Sequence, residues 1–441
     1  MKILIISYYY IPAISPRAFR WTIIAEYWAK QGEYIDVICS WEPGLARSEI
    51  INKVHVHRVG NTVLKILRKR FKNNDLIKNK TLKKQENSKN KLSLFLKWIY
   101  DYTWKKVYWP DFACLWYFSA LRKAKYLLMT GKYDKLFTVS IPFICHMVGL
   151  NINKHNPGML WVMDIGDPFY ILDATPINNY KIYRKLNYLI EKKIISCADI
   201  ISVTTEDLAK IYRNVFPESS KKIYVIPPLI SLPKNNIDIG CPIFPKKGMI
   251  KLAFIGTLYE AIRSPKFLLR IFRKLLQTSF GDKLEMHFFG RIHDCSDFFE
   301  LYKDLLYNKI FIHGLVDHNI ALRAIREADF LINIGNDTSY QLPSKIVEYM
   351  SSGKPIVNLI SSSKDSSLLI LSAYPLHINI ICNDIEKNSN NIFLLEQFIK
   401  KSLGKLVNPG MVKQIIEPFS KEKVIEQYNN IPILRSCTNE I

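Results

Sequence analysis

Short apolar runs alternate with longer amphipathic stretches over most of the 441-residue chain. In the first half, six runs of five to seven residues are typical of buried strands, and helix-periodic stretches separate them. These runs are KILIIS, IDVIC, KLFTVS, MLWVMDI, DIISVT and KIYVIP. The stretch after the first run carries Trp21, Ile24, Ala25 and Trp28 on one helical face. Strands that alternate with helices in this way predict a parallel sheet in an α/β fold.

The same alternation starts again after residue 248. The apolar runs of this second half are KLAFIG, LEMHFFG, KIFIHG, DFLINIG and PIVNLI. Between the halves, residues 227–248 contain five prolines and little periodicity, which is typical of a linker. We therefore predict two Rossmann-like domains, at residues 1–236 and 249–418. A hinge is predicted at 237–248 and a C-terminal helical segment at 419–441.

A basic segment at residues 61–106 interrupts this order. Between Lys65 and Lys106 it holds fourteen Lys and Arg against three acidic residues. Its two ends, VLKILRKRF and LSLFLKWI, each place their apolar residues on one helical stripe. Basic amphipathic helices of this kind suit the surface of an anionic membrane. A solvated insertion that packs on its own domain is an equally supported interpretation.

The composition sets the class of partner and the compartment. A net charge of +23 indicates an anionic partner, which is nucleic acid, an anionic membrane or a phosphorylated substrate. Eight cysteines lie singly, without a C-x-x-C pair, and predict reduced thiols rather than a disulfide framework or a zinc site. No signal-peptide pattern opens the chain, and no apolar run approaches the ~18 residues of a transmembrane helix. We expect a cytoplasmic protein, with peripheral contact to the inner membrane face as an option.

Several catalytic motifs are absent from the sequence. It contains no GxxxxGK[ST], HExxH or GxSxG pattern, and it contains no Asp-x-Asp. The missing Asp-x-Asp argues against transferases that hold a nucleotide-sugar through a divalent metal. We therefore expect neither metal nor cofactor, so that helix ends and cations hold any bound diphosphate.

The stretch YQLPSKIVEYMSSGKPIVNLI, residues 340–360, predicts a short helix followed by a strand. Pro343 suits the first helical turn, and Gly353 suits the residue past the end. Unpaired backbone N–H groups at the helix start, beside Ser344 and Lys345, would attract an anion. Glu348 lies one turn further along the same face, where one carboxylate can accept hydrogen bonds from both hydroxyls of a ribose. A solvated helical face is the simpler interpretation of the same residues.

The stretch PSKIVEYMSSGKPIV resembles the donor-nucleotide motif of family 4 glycosyltransferases, which have the GT-B fold of two Rossmann-like domains facing a central cleft. Other segments resemble this family in the same order, and one bacterial subgroup in particular, over nearly the whole chain. These segments are SYYYIPAISPRAFRW, YWPDFACLWYFSALRKA, TVSIPFICH, WVMDIGDPF, IEKKIISCADIISVT and FIGTLYEAIRSP. The resemblance implies an α/β GT-B protein that transfers a sugar from a nucleoside-diphosphate-sugar. Analogy also suggests that the C-terminal helix crosses back to the first domain.

The resemblance implies a role for each matching residue. Glu348 would bind the donor ribose, and Ser344 and Lys345 would hold the diphosphate. Arg263 would stabilise the leaving phosphate, near the loop of Gly256 and Thr257. Asp164, Asp167 and His146 are the catalytic candidates. An Asp that caps a turn or helix is an equally ordinary interpretation, and a lone His at the start of an apolar helix is more often structural. The remaining candidates are Tyr340, Gln341 and Leu342 for the donor sugar, and Pro12, Ser15, Arg17 and Arg20 in the first loop.

The sequence departs from the family pattern at four places. Tyr340 stands where many members carry a sugar-contacting Glu, and Thr257 stands where an Arg is usual. The first-loop Gly-Gly pair is replaced by AISPR, and Pro228-Leu229 replaces an Asn-Gly pair. These changes leave open which sugar is transferred and whether its configuration is retained.

The function expected from these observations is metal-independent hexosyl transfer to a lipid-linked or growing surface polysaccharide, such as lipopolysaccharide, O-antigen or capsule. The partners would be a nucleotide-sugar, a saccharide acceptor and, through residues 65–106, the inner membrane surface. Three alternatives remain open. They are a catalytically weakened nucleotide-binding assembly partner, a basic protein that binds nucleic acid or another polyanion, and a sugar-nucleotide epimerase.

Overall fold

The computed structural model describes most of the chain. The described residues are 1–13, 15–60, 105–171, 176–230, 242–244, 248–336, 338, 340–341, 345–382 and 388–431. By its contacts the chain divides into two units. The first comprises residues 1–204 and 209–226 and takes up the chain again from 429, and the second comprises residues 205–208 and 227–428. The predicted hinge and the basic segment at 61–104 fall largely or wholly outside the described residues and stay predictions.

The first unit is built on an eight-stranded sheet with the order β3-β4-β2-β1-β5-β6-β7-β8. Its strands are β1 Lys2–Ser7, β2 Tyr34–Ser40, β3 Ser48–Ile51, β4 Val54–Val59, β5 Lys135–Val139, β6 Leu160–Ile165, β7 Ile200–Val203 and β8 Ile223–Val225. Strand β3 is antiparallel to β4, and the other neighbours pair in parallel. The six predicted strands are confirmed, whereas β3 and β4 were not predicted.

The helices of this part of the chain follow the strands as predicted. They are α1 Pro16–Lys30, α2 Lys105–Val107, α3 Trp116–Thr130, α4 Ile144–His155, α5 Tyr180–Cys197 and α6 Glu206–Val215, with a 3-10 turn at Pro217–Lys222. Helix α1 shows why the sequence folds this way. Ser15 caps its start by accepting a hydrogen bond from the Ala18 N–H, Pro16 occupies the first turn, and Trp21 and Ile24 are fully buried against the sheet.

The second unit is built on a six-stranded parallel sheet with the order β11-β10-β9-β12-β13-β14. Its strands are β9 Ile250–Ile255, β10 Leu284–Phe289, β11 Ile310–Gly314, β12 Phe330–Ile334, β13 Ile356–Ile360 and β14 His377–Ile381. Counted from β9, this is the 3-2-1-4-5-6 order of a Rossmann sheet. Five of these strands were predicted, and β14 was not. The prediction of two parallel-sheet α/β domains is therefore confirmed.

Helices cover both faces of this sheet. They are α7 Lys266–Leu275, α8 Ser296–Glu300, α9 His318–Glu327, α10 Lys345–Ser351, α11 Ser366–Leu371, α12 Asn388–Ser402, α13 Pro409–Ile416 and α14 Lys421–Asn429, with 3-10 turns at Gly281–Lys283, His293–Cys295 and Glu417–Phe419. Successive side chains of β9 point to opposite faces of the sheet and therefore pack in two different cores. Leu252 and Phe254 pack in one, and Ala253 and Ile255 pack in the other. Within the described residues, we find no helix with the length and apolar content needed to cross a bilayer.

Candidate functional site

The carboxyl edge of the second sheet is lined by glycines at its switch point. Strand β9 lies between β10 and β12, and in a Rossmann sheet ligands bind where the strand order reverses. Gly256, Gly290 and Gly335 directly follow these three strands, and Gly314 closes β11. A Cβ atom on Gly290 would lie 1.8 Å from the Gly256 carbonyl oxygen, and one on Gly335 would lie 2.2 Å from a carboxylate oxygen of Asp365. Only glycine permits these close approaches of loop to loop.

Arg263 places a cation at this edge. Its Nη2 donates a 2.6 Å hydrogen bond to Asn336 Oδ1, and its Nη1 lies 3.4 Å from the Thr257 carbonyl oxygen. The Arg263 Nε is buried and has no hydrogen-bond partner among the residues that the structure describes. Burial lowers the pKa of Arg263, but an arginine keeps its charge in proteins. The structure thus brings together Gly256, Thr257 and Arg263, as the sequence predicted.

Asn336 connects Arg263 to the segment predicted to face the donor sugar. Its Nδ2 donates to the Gln341 carbonyl oxygen at 2.9 Å, and the Ser366 hydroxyl donates to the same oxygen at 2.9 Å. Asp365 caps α11 by accepting from the Ser367 N–H at 2.8 Å. The backbone at Gln341, next to Tyr340, is therefore fixed by one side chain from the loop after β12 and one from the start of α11. Leu342 and Ser344, the neighbouring candidates, lie outside the described residues.

Helix α10 carries Glu348 and Lys345 toward the same strand end. Their side chains form a 2.6 Å ion pair, with 14% of the Glu348 side chain and 27% of the Lys345 side chain exposed. The Tyr349 hydroxyl donates to the Ile255 carbonyl oxygen and accepts from the Ile255 N–H, which ties α10 to the end of β9. The described helix begins at Lys345, and Gly353 follows its end with a φ of +72°, as predicted. A partly exposed carboxylate is thus held on a rigid element beside the switch point.

Asp164 and Arg17 meet in the first unit. Asp164 lies near the end of β6, where its Oδ2 accepts from Arg17 Nη1 at 3.2 Å and from Trp21 Nε1 at 2.9 Å. Its Oδ1 accepts from the Ser202 hydroxyl at 2.8 Å. Burial works to raise the pKa of Asp164, but the nearby guanidiniums and these hydrogen bonds outweigh it and hold the pKa below its usual range. Because such a carboxylate is a weak base, its geometry suits holding Arg17 better than accepting a proton.

Gly166 makes room for that arginine. A Cβ atom at Gly166 would lie within 1.9 to 2.2 Å of three atoms of the Arg17 guanidinium group. Arg17 and Arg20 lie in α1 and not in the first loop as predicted, because the helix already begins at Pro16. The start of α1 is therefore in direct contact with the D-x-x-D-P loop after β6, in which Asp167 is half-buried. Of the first-loop candidates, Ser15 caps α1 and Pro12 is exposed, whereas Arg20 is buried and points to the Ile226 carbonyl oxygen.

His146 does not fit its predicted catalytic role. Its side chain is fully buried, and its Nδ1 lies 2.8 Å from Thr138 Oγ1. Burial lowers the pKa of His146 to about 3, although the Asp164 carboxylate opposes that shift. The imidazole is therefore neutral at ordinary pH and has no exposed surface from which to contact a substrate. The sequence already allowed this interpretation, because a lone histidine in an apolar helix can be structural.

Two buried carboxylates that the sequence did not single out hold the loops around these candidates. Asp111 accepts from the N–H groups of Ala113 and Ile144 at 2.8 and 2.9 Å, and so caps the start of α4. Glu191 accepts from the Tyr170 N–H at 2.8 Å and from the Tyr212 hydroxyl at 2.6 Å. Both lie in segments that resemble the family, YWPDF and IEKK, but nothing local to the sequence reveals which loop each one holds.

A search for three or more His, Cys, Asp or Glu side chains arranged to hold a metal ion found none within the described ranges. The cations proposed for the switch point of the second sheet are Arg263 and Lys345. Their side chains can pair directly with phosphate oxygens.

No protein-family model matches the chain, and no curated protein matches it by sequence. Solved structures do match. Sucrose-phosphate synthase of Thermosynechococcus elongatus has a TM-score of 0.62 and 13% identity, with 97% of each chain covered. Anabaena HepE in complex with UDP-glucose has a TM-score of 0.59 and 12% identity, covering 97% of this chain and 98% of that one. A mutant S. aureus TarM in complex with fondaparinux, α-GlcNAc-glycerol and UDP has a TM-score of 0.57 and 10% identity, covering 97% and 99%.

These similar proteins are GT-B glycosyltransferases. The chain has the GT-B fold. At 10 to 13% identity the likeness extends to the fold, and the activity has to be argued from the site.

Proposed function

We propose that the protein is a metal-independent glycosyltransferase of family 4 that uses a nucleoside-diphosphate-sugar. The observation that carries this proposal is the position of Arg263 beside Gly256 at the switch point of the second sheet. The Lys345–Glu348 ion pair lies on a helix that Tyr349 ties to the end of β9. Two cations suit a diphosphate, and a carboxylate one helical turn away suits a ribose diol. HepE, a protein of the same fold, has been solved with UDP-glucose, which supports this class of donor.

The residues would share the work of transfer. The Glu348 carboxylate would accept hydrogen bonds from the ribose hydroxyls, and Lys345 would turn from its ion pair toward the diphosphate. Arg263 would stabilise the negative charge that grows on the leaving phosphate as the bond to the sugar breaks. Because Asn336 accepts from Arg263, the guanidinium is already oriented before the donor binds, and little reorganisation is left for the reaction.

The first unit would supply the acceptor site. Arg17 is held by Asp164 and lies against Gly166, so it can present a fixed cation to an anionic acceptor. Asp167 would orient or deprotonate the attacking hydroxyl, because Asp164 is fully engaged by its three donors. The transferred sugar would be a hexose, and the acceptor would be a lipid-linked or growing surface polysaccharide. TarM, of the same fold, has been solved with saccharide ligands.

Membrane contact is part of this proposal. The fourteen cations between Lys65 and Lys106 would attract anionic lipid at the cytoplasmic face of the inner membrane. The protein would then encounter a lipid-linked acceptor at the membrane that contains it.

Thermal unfolding of the purified chain with a panel of nucleoside diphosphates, in EDTA, tests the donor site. We expect one diphosphate at about 100 times its Kd to stabilise the folded protein by about 2.7 kcal/mol. Glu348→Ala should abolish most of that stabilisation. Glu396→Ala is the matched control, because Glu396 also sits on a helix of the second unit, in an ion pair with Lys400. If no diphosphate stabilises the folded wild type, or if both variants behave alike, the proposed donor site is wrong.

One observation favours a second candidate function. Tyr340 stands where many family members carry a carboxylate at the donor sugar, so a nucleotide-binding assembly partner without turnover is the main alternative. Nucleotide stabilisation without any sugar release, and a gain of release in Tyr340→Glu, would support it.

A further inference from the structure

Helix α3 carries a stripe of exposed apolar side chains on the face opposite its buried face. Its inward face is buried at Trp116, Ala120, Ala124 and Leu127. On the outward face, Phe118, Tyr126 and Met129 are 67%, 59% and 87% exposed, and Leu115 just before the helix is 48% exposed. The outward positions 115, 118, 122, 126 and 129 follow the helical repeat, so the four apolar side chains form one stripe with Arg122 in its middle. A monomer surface normally carries such side chains singly rather than in line.

Helix α5 repeats this arrangement. Ile182, Leu186 and Leu189 are 67%, 42% and 50% exposed and lie at helical spacing. Helix α3 lies in the connection from β4 to β5, and helix α5 lies in the connection from β6 to β7. Both connections lead in the same direction along the sheet. Right-handed crossovers in one direction place their helices on one face of the sheet, and α4 lies between α3 and α5 and contacts both. Both stripes therefore point outward on the same side of the first unit.

Cations flank the two stripes. The basic residues of α3 and α5 are Arg122, Lys123, Lys125, Lys181, Arg184, Lys185, Lys192 and Lys193. The one acidic residue on either helix, Glu191, is buried and points inward. Lys192 pairs with Glu218 at the surface, and no other ion pair involves these eight cations within the described residues. The side is therefore both apolar and strongly positive.

This combination selects among possible partners. A second copy of the chain would bring the same cations opposite one another across a two-fold axis, which is unfavourable. Nucleic acid would satisfy the charge, and Phe118 and Tyr126 could stack on bases, but the exposed Ile, Leu and Met side chains of the two helices offer neither stacking nor hydrogen bonds to bases. An anionic bilayer satisfies both features at once, because its headgroups meet the cations and its acyl boundary takes up the apolar stripe.

We infer that the outward faces of α3 and α5 form a docking surface for an anionic lipid bilayer. The surface lies on the α/β framework and consists of other residues than the predicted contact through 65–106. It depends neither on the donor site nor on glycosyl transfer. It adds a second membrane contact to the one in the proposed function, and the variants below distinguish the two. The expected depth is that of an interfacial helix, with Phe118 and Met129 at the acyl boundary and Arg122 and Lys125 among the headgroups.

Co-sedimentation of the full-length chain with vesicles tests the inference. We expect binding to vesicles of phosphatidylcholine with about one-third phosphatidylglycerol, and weak binding to pure phosphatidylcholine. The double variant Phe118→Ser with Met129→Ser should weaken binding to the anionic vesicles about tenfold, and so should Arg122→Glu with Lys125→Glu. In Met129→Trp, the new indole should shift its emission to the blue and be quenched by brominated lipid.

Matched controls come from the second unit. Leu301 and Leu369 are 71% and 69% exposed there, and Leu301→Ser with Leu369→Ser should leave vesicle binding unchanged. Lys401→Glu with Lys405→Glu is the control for charge. All these positions are exposed, so circular dichroism should show wild-type folding. The inference is overturned if the wild type does not bind anionic vesicles, or if the α3 variants bind like their controls. It is also overturned if binding is lost only when the cations of 65–106 are neutralised.

Discussion

Glu191 shows how a single buried carboxyl shapes the first unit. Burial raises the pKa of Glu191 to about 7, even though the Tyr212 hydroxyl and the backbone at Tyr170 and Phe169 favour the ionised form. Its ordinary value in an unfolded chain is about 4.3. The folded state therefore binds this proton more tightly, and the resulting stability is complete below about pH 4.3 and is lost as the pH rises through about 7.

Replacing this carboxyl by its neutral isostere should flatten the pH dependence. In Glu191→Gln the amide oxygen still accepts from the Tyr170 N–H, but nothing ionises on raising the pH. We expect the fall in unfolding free energy between pH 5 and pH 8 to shrink by roughly 2 kcal/mol, as measured by urea denaturation. Glu218→Gln, at an exposed position of the same unit, is the control and should change this fall little. An unchanged pH dependence in Glu191→Gln would show that the carboxyl is already ionised at pH 5.

At the scale of single elements, the strand ends of the second sheet depend on glycine. Gly290 has a φ of +137°, and a Cβ there would lie 1.8 Å from the Gly256 carbonyl oxygen. Gly404 also has a positive φ, +73°, but a Cβ there would meet nothing within 4 Å. A residue with a Cβ would be strained at either position, but only at Gly290 would that atom also meet another backbone.

Alanine at these two glycines should separate the two effects. Gly404→Ala should cost about 1 kcal/mol of unfolding free energy, from the left-handed backbone alone. Gly290→Ala should cost on the order of 2 kcal/mol more, because the Gly256 backbone must move. It should also weaken binding of the nucleoside diphosphate, because that backbone forms the proposed site. Equal costs in denaturant titrations, with equal nucleotide affinity, would contradict the close packing of these loops.

The strands that sequence inspection missed are those without a continuous apolar run. Strand β4, VHVHRV, alternates buried and partly exposed residues, which is a strand pattern but not a run. Strands β3 and β14 are mostly exposed edge strands, and their sequences, SEII and HINII, are short. The buried central strands were predictable because both of their faces are covered, which makes nearly every position apolar.

The candidate site was predictable only where it is local in sequence. Lys345 and Glu348 lie three residues apart on one helix, so spacing alone places them together. The contact of Arg263 with Asn336 spans 73 residues, and that of Arg17 with Asp164 spans 147. Such contacts arise from strand order, which a single sequence does not reveal. The sequence does contain one local signal of this edge: each of four successive strands of the second sheet ends in glycine or is directly followed by one.

At the scale of the whole molecule, each unit is a Rossmann-like sheet with candidate residues at its carboxyl edge. The second unit carries Arg263 and the Lys345–Glu348 pair that we propose for the nucleotide, and the first holds Arg17 against Asp164. The chain also carries a net charge of +23, and part of it lies on the outward faces of α3 and α5. The proposed donor site, acceptor site and membrane surface consist of different residues, so each can be tested alone.

Sugar transfer itself is the most direct test of the account. The measurement is release of nucleoside diphosphate from the nucleotide-sugar that the thermal panel selects, with membrane lipid extract as acceptor and EDTA present. We expect release that depends on the extract and falls about 100-fold or more in Arg263→Ala. Arg273→Ala, at an exposed arginine paired with Asp304, should keep full activity. Loss of release in EDTA, no release from a folded protein that binds the nucleotide, or an active Arg263→Ala variant would contradict the account.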